Sequence, residues 1–106
     1  ELERAKAEQR AARRESARGI GELYFALAEA EARRSVMANE VLPAARATFD
    51  AFRLAFERHA ENLNELLDSR HDRTRAEIDH IDSLVDVHRS LAALEAMVGQ
   101  PLAGEP

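Results

Sequence analysis

Five acids crowd the middle of this 106-residue sequence: Glu57, Glu61, Glu65, Asp68 and Asp72. Their steps of three and four put carboxylates on one face of a helix. Gathered around a symmetry axis, such groups would form a negative ring, raise one another's pKa and favour cations. The competing reading is a solvated acidic end, stabilised by the dipole at the start of a helix. Spacing alone favours the second.

The histidines are His59, His71, His80 and His88. None has another histidine at the i, i+4 spacing of zinc-binding helices. His80 and His88 lie two turns apart near Asp79, Asp82 and Asp86, so a weak surface metal site competes with a packed seam residue. We expect the seam, with the His88 ring packed and one nitrogen wetted, and no metal or cofactor. Ser16, Ser35, Ser69, Ser83 and Ser90 stand in no nucleophile motif, and no phosphate loop is present. Paired carboxylates without a cleft-forming sheet do not make a glycosidase. The expectation is a protein that is not an enzyme.

Chemistry of this kind needs a scaffold that sets its geometry, and the composition says which. Apolar residues make up 45% and charged residues 33%, with 4 glycines, 3 prolines and 5% aromatics. Much of the apolar share is alanine, which suits long helices with narrow seams rather than a thick core. No run of apolar residues is long enough to span a bilayer. Cysteine is absent, which excludes disulfides and thiolate metal sites. A net charge of −5 argues against nucleic acid as a partner. Arg10, Arg13, Arg14 and Arg18 lack the interleaved large apolar residues of a membrane-surface helix, so they read as a solvated face. The sequence starts inside a helical pattern and shows no signal peptide. It is therefore expected to be a piece of a longer chain.

Along the chain, Glu3 with Lys6 and Glu15 with Arg18 support an exposed helix. After Gly19 and Gly21 an apolar stripe runs through Ile20, Leu23, Leu27, Ala30, Met37, Val41, Ala45, Phe49, Phe52 and Phe56. Arg34 fills the step between Ala30 and Met37, where its stem can cover the seam. Pro43 predicts a kink or break near residues 39–42, and we favour a kinked, continuous helix. The polar run at 57–62 predicts the turn, with Asn62 as N-cap and Glu65 three residues on. A second helix follows to Val98, stopped by Gly99 and Pro101. It carries two stripes, one of Leu67, Thr74, Ile78, Ile81, Val85 and His88, the other of Leu84, Val87, Leu91, Leu94 and Val98. Two stripes imply two neighbours. The fold expected is all-α, a long antiparallel two-helix coiled-coil hairpin. Its parts are a helix over about 2–57, a tip turn at about 58–62, a helix over about 63–98 and a tail at 99–106. Residues 1 to about 20 overhang without a partner.

Val41-Leu42-Pro43-Ala44-Ala45, then Phe56, then Leu66-Leu67-Asp68, then His88-Arg89-Ser90-Leu91-Ala92-Ala93-Leu94-Glu95 with Gly99 form an ordered set. This set resembles the second periplasmic helical hairpin of TolC-like outer-membrane efflux proteins, and it covers most of residues 5–99. The resemblance implies a trimeric duct whose α-barrel crosses the periplasm of a Gram-negative envelope. It implies two partners, a periplasmic adaptor protein and an inner-membrane pump. Carried over by position, Glu65, Asp68 and Glu61 would narrow the entrance. Phe56, Arg58, His59 and Asn62 would form the tip that meets the adaptor. Two positions depart from the family pattern: His59 stands where glycine is usual, and Glu61 where a basic residue can sit. Seams that face neighbours in a full channel would be exposed in a free hairpin, so self-association is expected, as a dimer forming a four-helix bundle. Two alternatives stand beside this reading: a spectrin-like three-helix bundle in which Pro43 ends the first helix, and a coiled-coil scaffolding or dimerisation module.

Overall fold

The computed structural model describes residues 1–59 and 62–99. Helix α1 (Leu2–Val36) passes through a π-helical turn (Met37–Val41) into α2 (Leu42–Glu57), and α3 (Leu63–Val98) returns antiparallel. An unbroken arm from Leu2 to Glu57 at about 1.5 Å per residue predicts a rod of about 84 Å. The long dimension is 84 Å, against 30 and 15 Å across. Both α1 and α2 pack on α3 and not on each other. The three-helix bundle is therefore not formed, and the chain is an elongated two-helix hairpin.

Local chemistry sets the ends of the return helix. Asn62 Oδ1 accepts the Glu65 backbone N–H at 2.9 Å, which satisfies one free donor of the first turn. At the other end Gly99 takes φ 85°, and its N–H bonds the Glu95 carbonyl at 2.8 Å. Along α1, ion pairs one turn apart support the exposed surface: Arg4 with Glu8 at 3.7 Å, Arg18 with Glu15 and Glu22, and Arg34 with Glu31. The Arg34 hydrogen bond holds the Glu31 carboxyl below its usual pKa. That contribution is complete at neutral pH and is lost as pH falls through the lowered pKa.

The π turn answers Pro43. In an α-helix the proline ring presses on the carbonyl four residues back, here Asn39. Instead the Leu42 N–H bonds the Met37 carbonyl, five residues back, and the chain takes in one extra residue just before the proline. The Asn39 side chain donates to Ser35 Oγ at 3.1 Å, bracing the turn. The extra residue corrects the predicted stripe. The buried side of this arm runs Ile20, Leu23, Leu27, Ala30, Arg34, Met37, then Leu42, Ala45, Phe49 and Phe52. Steps of three and four hold on both sides of a single step of five. Val41, expected in the seam, is 39% exposed, whereas Leu42 is 6% exposed. Phe56 closes the arm, partly exposed.

The seam of α3 also differs from the expected stripes. Its more buried positions are Leu66, Ser69, Arg73, Ala76, His80, Ser83, Val87, Ser90 and Leu94. Ser69, Ala76, Ser83 and Ser90 recur every seven residues, so small side chains alternate along this seam with Leu66, Arg73, His80, Val87 and Leu94. Each of the two most buried serines is satisfied within its own helix. Ser69 Oγ donates to the Leu66 carbonyl at 2.8 Å, and Ser83 Oγ to the His80 carbonyl at 2.6 Å. Leu94 is 0% exposed and belongs to the second expected stripe, whose Leu84, Val87, Leu91 and Val98 are half-buried. Among the described residues two ion pairs bridge the arms, Arg33 with Asp86 and Arg46 with Glu77 at 3.6 Å. Arg73 lies over the Phe49 ring, 4.3 Å from its centre. Gly19 marks the end of the paired region, because a Cβ there would come within 2.7 Å of Met97 Cε. Residues 1–18 are exposed throughout.

Candidate functional site

Two places on this rod carry unexplained chemistry: the tip, and the outer face of α3. At the tip, α2 ends with the Arg58 N–H shared between the Leu54 and Ala55 carbonyls, both at 3.2 Å. The His59 N–H then bonds the Phe56 carbonyl at 2.9 Å. His59 sits at φ 59°, in the left-handed region, and is the one non-glycine there among the described residues. A side chain in that conformation brings Cβ close to its own carbonyl oxygen, which glycine avoids. His59→Gly is therefore expected to stabilise the hairpin by about 0.5–1 kcal/mol, after the entropy of glycine is counted. A thermal melt followed by circular dichroism would read this as a higher Tm, and an unchanged or lower Tm would refute it.

Phe56, Arg58, His59 and Asn62 are all exposed around this turn, so the predicted tip set shares one end of the rod. Glu65 and Asp68 lie one turn apart at the start of α3, exposed, and with Asp72 they line a shallow hollow with Thr48, Phe52 and Ser69. Glu61 lies outside the described residues. Glu57 is exposed at the end of α2. Among the described residues no three His, Cys, Asp or Glu side chains gather as a metal set.

The outer face of α3 carries the first predicted stripe. Leu67, Ile78, Ile81 and Val85 are 41–58% exposed, and Thr74 and His88 are exposed as well. His88 was expected packed in a seam; it lies on this open stripe instead, because the seam positions one residue earlier on the helix are taken by Val87 and its neighbours. His71 and Ala92 extend the same row, giving Leu67, His71, Thr74, Ile78, Ile81, Val85, His88 and Ala92 in steps of four and three. At about 100° per residue this row lies about 150° around α3 from the seam it shares with the other arm. Along one edge of the row stand Asp68, Arg75, Asp82 and Arg89, exposed, seven residues apart and alternating in sign. Sequence reasoning found the stripe but passed over this charged edge, whose signal was the seven-residue alternation itself.

No helix among the described residues is long and apolar enough to cross a membrane. The chain matches no family model, no curated protein and no solved structure. What the geometry establishes is a long helical hairpin of scaffold type, with one seam filled and a second seam open.

Proposed function

We propose that this hairpin is a wall element of a TolC-like outer-membrane efflux channel. The observation that carries the reading is the pair of seams on α3, one filled by the same chain and one open, about 150° apart. In a closed ring each helix touches two neighbours, and the two contacts are offset by 180° less the turn per helix. An offset of about 150° fits a ring of about twelve helices. A free-standing pair would need one seam alone. The left-handed backbone at His59 adds support, since the family resembled usually carries glycine at that position.

In this reading the hairpins of three full-length chains stand side by side around a periplasmic duct. Glu65, Asp68 and Glu61 ring the entrance and favour cations through their summed charge. Phe56, Arg58, His59 and Asn62 meet the adaptor of a tripartite pump. The open row from Leu67 to Ala92 packs against the next hairpin in the wall.

The test is a chimera. Residues 1–106 replace the second hairpin of a working TolC-like channel in cells that lack their own. Restored trimers and drug efflux are expected, with Ile78→Glu plus Ile81→Glu abolishing the trimer while the chimera is still made. Glu65→Gln with Asp68→Asn should lower the cation selectivity of the reconstituted pore. A chimera that is produced and exported but never trimerises would overturn the reading.

A further inference from the structure

We propose that, outside any such wall, the chain pairs with a second copy of itself through the outer face of α3, antiparallel and in a single register. The exposed row on α3 is a heptad seam of about 26 residues, about 39 Å long. Its core positions are Leu67, His71, Thr74, Ile78, Ile81, Val85, His88 and Ala92, all open to solvent. Its apolar members are Leu67, Ile78, Ile81, Val85 and Ala92, uncovered by their own chain, with His71, Thr74 and His88 between them.

The charged edge says what covers it. Asp68, Arg75, Asp82 and Arg89 make no ion pair within the described residues, although cross-arm pairs form elsewhere on the same helix. Place two copies antiparallel with Ile78 across from the partner's Ile81. Thr74 then meets the partner's Val85, His71 the partner's His88, and Leu67 the partner's Ala92. In this register Asp68 falls beside the partner's Arg89 and Arg75 beside the partner's Asp82, and the two-fold axis repeats each pair. On the other edge Arg70 and Glu77 lie over the partner's Leu91 and Leu84, so their stems cover apolar surface and no like charges meet.

Every other closed, two-fold pairing with long overlap is worse. Sliding by seven residues either way sets aspartate against aspartate and arginine against arginine along the whole edge. A parallel, in-register pair sets Arg70 against the partner's Arg75 and Glu77 against the partner's Asp82. Flanking charges of this kind fix orientation and register in paired helices. Among closed two-fold pairs the pattern selects one arrangement, and the molecule that supplies the complement is this chain.

The pairing is independent of the channel reading. Its two hairpins point in opposite directions, so it cannot form inside a wall whose hairpins share one direction. The two uses of the face exclude each other. Failure of the dimer would leave the chimera result untouched, and the reverse holds as well.

Sedimentation equilibrium of the whole chain tests it, with circular dichroism confirming that each variant keeps its helix content. The wild-type chain should dimerise. Arg75→Asp alone, or Asp82→Arg alone, should weaken association about tenfold, because two attractive exposed contacts become repulsive. The double swap Arg75→Asp with Asp82→Arg should restore the dimer and should not mix with wild type, since mixed pairs set like charges together. The chain has no cysteine, so single spin labels can be placed cleanly. Labels at Asp79→Cys should lie close across the axis, and labels at Ala93→Cys about 40 Å apart along it, from about 27 residues of offset at 1.5 Å each. A monomer at every concentration, a dimer indifferent to charge reversal, a double swap that fails to recover, or Ala93 labels as close as those at Asp79 would each overturn the proposal.

Discussion

A chain lacking Asp79 is expected to lose most of its cooperative fold, whereas a chain lacking Glu40 with Pro43→Ala is expected to keep it. Both delete one exposed acid near mid-rod. Removing Asp79 turns one half of α3 by about 100° relative to the other. Either Arg73 and Ala76, or Ser83, Val87 and Leu94, then leave the seam. The loss should reach several kcal/mol, because it breaks core packing along half the rod. Removing Glu40 instead converts the π turn to α-helix. Met37 and Leu42 become four steps apart, and the seam from Ile20 to Phe52 continues in steps of three and four. Pro43→Ala is needed because its ring would otherwise press on a carbonyl of the regular helix. Thermal melts of the two variants decide the matter. If both collapse alike, the π turn is not a single-residue insertion that keeps the seam in phase.

The second large effect is expected at Leu94. Its side chain is fully buried, in a rod whose buried apolar residues among those described are otherwise Ala30, Leu42 and Ala76. Leu94→Ala should cost about 2–5 kcal/mol through lost transfer energy and the cavity left behind. A small domain has about 5–15 kcal/mol of stability in total, so the variant should melt far earlier than wild type or populate a frayed end. Leu54→Ala is the comparison, since Leu54 is 48% exposed, and surface changes cost within about 0.5 kcal/mol. Equal melting points for the two variants would show that the hairpin is not held by its seam at this end.

These expectations rest on a division between local and tertiary information. Helix content, the long two-armed hairpin and the Asn62 cap were legible in the sequence. Each depends on near neighbours: apolar steps of three and four, a capping side chain three residues from the donor it satisfies, a glycine free to turn left-handed. The stripe of Leu67, Ile78, Ile81 and Val85 was legible for the same reason. Which stripe faces the same chain was not, because periodicity gives a face and not the identity of its neighbour. The larger side chains of α3 look like the obvious core, yet the serines and alanine seven residues apart take the seam. They share it with Leu66, Arg73, His80, Val87 and Leu94, and a small residue at every second seam position lets the two arms stand closer than a row of large ones would. Val41 and Leu42 exchanged places for a related reason. Pro43 forces one extra residue into the turn before it, and only packing against α3 on both sides of that turn shows where the phase resumes.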